Sequence, residues 1–310
     1  MLGELESPTL DLDASKPDSL NVITATRSGV ATYTDADGVI QTAPENTVRV
    51  DHVDGVPMML IEPSATNKVP YSEDFSNSSW GKSDITIAPA PVAAPDGTMT
   101  ASHVVKTGSN GHLVKTNIGA PNTHTSSIWA RTVSGSGTCF FNFHSGTPST
   151  VTDQWQRFEV TSNGYHMYAV NFRGTSTLTE IYIWGAQLET GSVATSYIPT
   201  SGSTVTRAAD NLVIDGSAFS DFYNQSEGTV YVEAVPQDGI NEFPYYCEFS
   251  DGTTANRHFL YQDGTPSNFY GLKVSDSSIF NTDIGSVTFD SLNRISYSYK
   301  SNDYLGSSNG

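Results

Sequence analysis

The sequence predicts an all-β protein: an N-terminal strap of hairpins, a two-sheet jelly-roll sandwich, and a second, incomplete β-sandwich. Three observations predict this. Short apolar runs are broken about every eight to twelve residues by Gly, Pro, Asn or Ser, the cadence of antiparallel sheets. Aromatic residues reach 11% while charged residues make up only 15%, with Gly, Ser, Thr and Asn abundant. That profile suits an extracellular β-protein better than a cytosolic helical enzyme. The third is the scarcity of helix, for which a turn near Ala218 to Tyr223 is the one plausible place.

Taken in order, residues 1–66 are strap-like. Thr9-Leu-Asp-Leu-Asp13 alternates. Val30 to Tyr33 and Val39 to Thr42 flank Asp35-Ala-Asp-Gly38, a tight turn in which Gly supplies the positive φ. The Asp35-x-Asp37-Gly38 spacing also opens like a calcium loop, but Asn46 stands where the closing Glu belongs, so the turn reading prevails. Asn46 to Asp51 reads as a short strand. Val56-Pro-Met-Met-Leu-Ile-Glu62 is apolar without a period, as expected of a segment buried on both sides.

Residues 67–200 hold eight candidate strands: 85–88, 101–105, 112–116, 125–131, 138–143, 156–161, 166–172 and 181–187. That number in about 130 residues makes a two-sheet jelly roll. In Phe140-Phe-Asn-Phe-His144 and Ile181-Tyr-Ile-Trp184, alternate side chains should share a face. Thr200-Ser-Gly-Ser-Thr204 is a small-residue bridge and marks a boundary. In 201–310, strands are expected over 228–235, 245–249, 258–262, 269–274 and 294–299.

Length and charge exclude several functions. A chain of 310 residues can bury a sizeable core in two domains or one large one. The formal net charge of −18 argues against nucleic acid and anionic membranes and favours solubility. Cys139 and Cys247 lie in aromatic strand-like runs of different domains and read as buried free thiols. The first six residues lack a basic and apolar leader, and no window approaches a membrane span.

No reaction motif appears. Glu73/Asp74, Glu180/Glu189 and Glu242/Glu248 could pair as glycosidase carboxyls, but any acidic chain offers as many such pairs. The seven His residues lack metal-ligand spacing, and two distant Cys complete no zinc site. A nucleophile elbow and a phosphate loop are also missing. The expectation is a non-enzymatic protein with no catalytic residues and no required cofactor. Sugar recognition calls for an exposed aromatic platform beside polar groups. Trp80, Trp129, Trp155 and Trp184 read as core, which leaves His144, Tyr165, His166 and Tyr270, in or beside loops, as candidate carbohydrate-binding residues.

The chain also resembles a known family. Arg27-Ser-Gly-Val-Ala-Thr-Tyr-Thr-Asp-Ala-Asp-Gly38, Leu60-Ile-Glu-Pro63, and Thr66-Asn67 leading into Tyr71-Ser-Glu-Asp-Phe75 are similar to a pattern in tail and tail-fibre proteins of tailed bacteriophages. Trp155-Gln-Arg-Phe158, Trp184-Gly-Ala-Gln-Leu-Glu189, Thr195-Ser-Tyr-Ile-Pro-Thr200 and Thr206-Arg-Ala-Ala-Asp210 resemble that family's carbohydrate-binding-type jelly roll and its exit. From Ser226 the chain resembles the first half of a concanavalin A-like, or laminin G-like, sandwich, which here would leave an apolar face open. The resemblance implies a virion protein, assembled in the host cytoplasm without a signal peptide and placed on the tail or particle exterior. It implies other virion proteins and host surface polysaccharide as partners, and a homotrimer by analogy with fibres. A structural calcium near the first and last jelly-roll strands, with Asp74 and Glu189 as candidate ligands, is implied in the same way. The alternative is a decoration or adaptor protein of tail or capsid without glycan affinity.

Overall fold

A computed structural model describes residues 7–115, 123–143, 146–163, 166–237, 244–263, 268–275, 278–300 and 303–309. The chain is all-β and divides into two compact units, 1–214 and 215–310.

In the first unit, turn chemistry sets the strap. Asp35 Oδ1 accepts the N–H groups of Asp37 and Val39 at 3.0 and 2.9 Å, and Gly38 takes a φ of 76°. This turn joins Ala31–Thr34 to Ile40–Ala43. Asp54 and Gly55 both have positive φ, the combination that closes a two-residue hairpin, between Val50–Val53 and Val56–Met59. The second hairpin corrects one expectation. Val56 is 50% and Ile61 55% exposed, so 56–62 is not buried on both sides. Its apolar run lies in a two-stranded ribbon, and such a ribbon leaves one face to solvent.

The strap is tied back into the unit by distant strands. Thr24–Thr26 pairs with Asn211–Val213, and Ala65–Asn67 with Val205–Arg207. These ladders carry the first unit through residue 214, past the small-residue bridge where a boundary was expected.

The jelly roll has a five-stranded sheet in the spatial order Gln156–Ser162, His124–Arg131, Glu180–Thr190, Ser102–Lys106 and Ile85–Pro89. Facing it is a three-stranded sheet, Met167–Asn171, His112–Lys115 and Gly81–Ser83. Between them lie Phe75, Trp80, Leu113, Ile128, Met167, Phe172, Ile181 and Ile183. The expected alternation in 181–184 is present. Ile181 and Ile183 enter this core, while Tyr182 and Trp184 enter a second cluster with Tyr197, flanked by Trp129, Trp155 and Ile40 of the strap. The five-stranded sheet is therefore covered on both faces. Trp129 and Trp155 are only half-buried, whereas Trp80 and Trp184 are buried as expected. The alternation expected over 140–144 is not found. Phe140 and Phe141 are both buried and Phe143 is 58% exposed, because the strand ends at Cys139 and the chain turns there.

Beneath the strap lies a buried ionic cluster. Arg27 pairs with Asp210 at 2.8 Å, Arg49 with Glu62 at 2.8 Å and also with Asp210, and Arg207 approaches Glu62 at 3.5 Å. Ser196 donates to Glu62 from its N–H at 2.7 Å and its hydroxyl at 2.6 Å. Charges this deep persist only where every partner is in place.

The second unit opens with a single helical turn, Gly216–Ser220. Its first sheet runs Glu227–Ala234, Asn293–Lys300, Asp303–Ser308 in spatial order, and its second Tyr245–Ser250, Asn256–Gln262, Asn268–Ser275, Ser278–Ser286. Leu260, Phe269, Ile284, Ile295 and Tyr297 form the core between the sheets. Two strands the sequence does not signal, Ser278–Ser286 and Asp303–Ser308, extend the two sheets at their edges. Both are edge strands, where burial is one-sided and hydrophobic periodicity weak.

Candidate glycan-binding surface

The outer face of the four-stranded sheet is built by alternation. Tyr246, Leu260 and Phe269 point to the core, so their neighbours Tyr245, Tyr261 and Tyr270 point outward. Register then aligns the three. Tyr245 stands opposite Tyr261, Tyr261 opposite Tyr270, and Tyr270 opposite Asp283. Ring centroids are 6.3 Å apart in the first pair and 5.5 Å in the second, with interplanar angles of 33° and 29°. Two strand spacings make this row on the order of 10 Å long.

A second row supports the first. Phe259 is packed 5.0 Å from Tyr245 and 5.3 Å from Tyr261, and Arg257 lies 4.4 Å over its ring. Arg257 is held in turn by Glu248 at 3.4 Å. Asn281 donates to the Tyr261 hydroxyl at 3.3 Å, and Asn268 donates to Asp283 at 2.9 Å. Burial pushes the Tyr261 phenol above its ordinary pKa, so it stays a neutral donor and acceptor at neutral pH. The surface is thus a stiff line of amphipathic rings rimmed by an amide, a carboxylate and a guanidinium. This chemistry suits polyhydroxylated ligands.

Of the residues expected to bind sugar, Tyr270 lies in this row, on a strand and not in a loop. His166 is in the first unit, exposed at the start of Met167–Asn171, with its ring 6.5 Å from that of Tyr168. It belongs to a second aromatic group there. Phe143 lies 5.8 Å from Tyr168, and the Arg173 guanidinium 5.2 and 5.6 Å from those two rings. His144 and Tyr165 lie outside the described residues. Loop position does not single out Tyr245 and Tyr261, which lie on strands. The signal that could have found them is the Phe259-x-Tyr261 alternation beside a core Leu260.

The calcium expectation meets a donor set that does not fit. Glu189 is 2% exposed, and its carboxylate accepts from Gln187 Nε2 at 2.7 Å, Thr195 N at 2.9 Å and Thr195 Oγ1 at 2.5 Å. Its oxygens are committed to the fold. Asp74 is exposed on a turn, where Ser76 Oγ and the Asn77 N–H donate to it; the Ser76 bond, foremost, holds its pKa below the usual carboxylate value. Among the described residues no three or more Asp, Glu, His or Cys side chains gather as a metal site would require.

No family model matches the chain, and no curated protein sequence matches it. Among solved structures, the tripod (BppUct-A-L) from the baseplate of bacteriophage Tuc2009 aligns over 86% of this chain and 99% of that chain, at 12% identity and a TM-score of 0.20. A likeness of that size supports neither a shared fold nor a shared function.

Proposed function

We propose that the chain is a non-catalytic structural protein of a tailed-phage particle, a tail-fibre or receptor-binding component that adheres to host surface glycans. The phage assignment is supported by the sequence resemblance of residues 9–210. The adhesive role is supported by one observation above all, the in-register row Tyr245–Tyr261–Tyr270 on an outer sheet face. Each contact of a sugar with such a row is weak. A homo-oligomer, a trimer in this reading, multiplies weak sites through effective concentration.

Screening the intact protein on an array of bacterial surface polysaccharides tests the reading. Retention on a defined subset supports it, and an array without retention at high protein density refutes adhesion. An adaptor role without glycan affinity is the second reading. It is favoured by Leu305, 67% exposed on the edge strand Asp303–Ser308, where an apolar side chain invites a protein neighbour.

A further inference from the structure

Residues 215–310 contain two lysines, Lys273 and Lys300, and both line one groove. The groove has a volume of about 240 Å³ and is lined also by Gln225, Ser226, His258 and Tyr304. Lys273 and His258 are register partners in one sheet, and Tyr304 belongs to the other, so the groove lies where the two sheets part.

Its charge runs against that of the molecule. The chain carries −18 overall, yet Lys273 has no carboxylate in ion-pair distance among the described residues; instead its Nζ stands 5.6 Å over the Tyr304 ring. Lys300 is paired with Glu227 at 3.2 Å, but both side chains are more than half exposed, so the pair is loosely held. His258 is 8% exposed, its ring is 4.8 Å from that of Tyr299, and its Nδ1 has no hydrogen-bond partner among the described residues. Burial first, and Lys273 second, push the His258 pKa down to about 4, so the ring is neutral at physiological pH. A cation with no ion-pair partner among the described residues, a second cation weakly held, a neutral imidazole and an aromatic wall line one small recess, a chemistry that suits a single anionic group.

We infer that this groove binds the oxyanion of an acidic sugar, a carboxylate or a phosphate substituent, with Lys273 as its main charge partner, Lys300 as the second and Tyr304 as the wall. The inference does not rest on the tyrosine row, and either can fail without the other.

The test is an NMR titration of the full chain with glucuronate, inorganic phosphate and glucose. Glucuronate should give saturable shifts at His258, Lys273 and Tyr304, and glucose none. Lys273→Gln should weaken binding about tenfold, the worth of one charge-assisted hydrogen bond. Glu227→Gln, which releases Lys300, should tighten it about two- to threefold, a gain that misfolding cannot produce. Saturation by phosphate alone places the ligand among phosphorylated sugars, and saturation by glucuronate alone among uronates; both together mean that the charge is what is read. Silence from both anions overturns the inference. So does an equal response to glucose, or an affinity unchanged in Lys273→Gln.

Discussion

Arg49 and Asp210 form an ion pair with side-chain exposures of 0% and 3%, across 161 positions of sequence. Asp210 also accepts from Arg27, and its Oδ2 accepts the Glu62 N–H at 3.0 Å. Two parts of the strap, at Arg27 and at Arg49 with Glu62, and the exit of the jelly roll therefore meet in one buried cluster. Its members Arg27, Glu62, Arg207 and Asp210 each sit in one of the short motifs that carry the phage resemblance. Those motifs have a structural reading: they are the parts of a clamp.

Removing one member should be costly. Asp210→Ala leaves the almost wholly buried Arg27 without its carboxylate and Arg49 with Glu62 alone. The expected loss is about 3–5 kcal/mol, read as a lower urea midpoint of the transition reported by tryptophan fluorescence, since all four Trp are in the first unit.

The same cluster sets an acid limit. Burial pushes the Asp210 carboxyl up, but hydrogen bonds from Arg49 and Arg27 outweigh it and hold the folded pKa below the ordinary value. A depressed folded pKa gives stability that is present above the unfolded pKa, near 4 or so, and is lost as pH falls through the folded value. Unfolding free energy should thus be flat near neutrality from this group and decline below about pH 4. In Asp210→Asn that part of the decline should vanish, as equilibrium unfolding at stepped pH will show.

Neither thiol should react in the native protein. Cys139 is fully buried; Cys247, expected to be buried, is only half-buried, but desolvation of its thiol raises its pKa to about 12. The thiolate is the reactive form. A thiol reagent should titrate no cysteine before unfolding and both after denaturation.

Gly271 is required by its neighbour. A Cβ there would lie 2.2 Å from Tyr297 Cδ2, inside the core of the second unit. Gly271→Ala should destabilise that unit by about 1–3 kcal/mol through overpacking, measured as a lower thermal midpoint. Trimming the obstacle with Tyr297→Leu in the same chain should recover part of the loss.

The sequence shows much of the jelly roll because its strands alternate between two buried faces, as in 181–184. It hides the edge strands 278–286 and 303–308, where polar residues and Gly outnumber apolar ones. The ionic cluster has no local signal, since Arg27 and Asp210 gain meaning only when distant ladders bring them together. The tyrosine row is half visible. Alternation puts Phe259 and Tyr261 on one face, but only register, including a bulge between Tyr245 and Cys247, brings Tyr245 and Tyr270 into line.

Calorimetric titration of purified host surface polysaccharide into the wild-type protein and into a Tyr245→Ala, Tyr270→Ala double variant tests glycan adhesion most directly. Neither side chain belongs to the core of the second unit, so the variant should keep its fold, with a lower thermal midpoint from the cover lost over Phe259 and Tyr261. The wild type should bind saturably and the variant should not. Equal binding by the two proteins, or none by the wild type, would contradict this prediction.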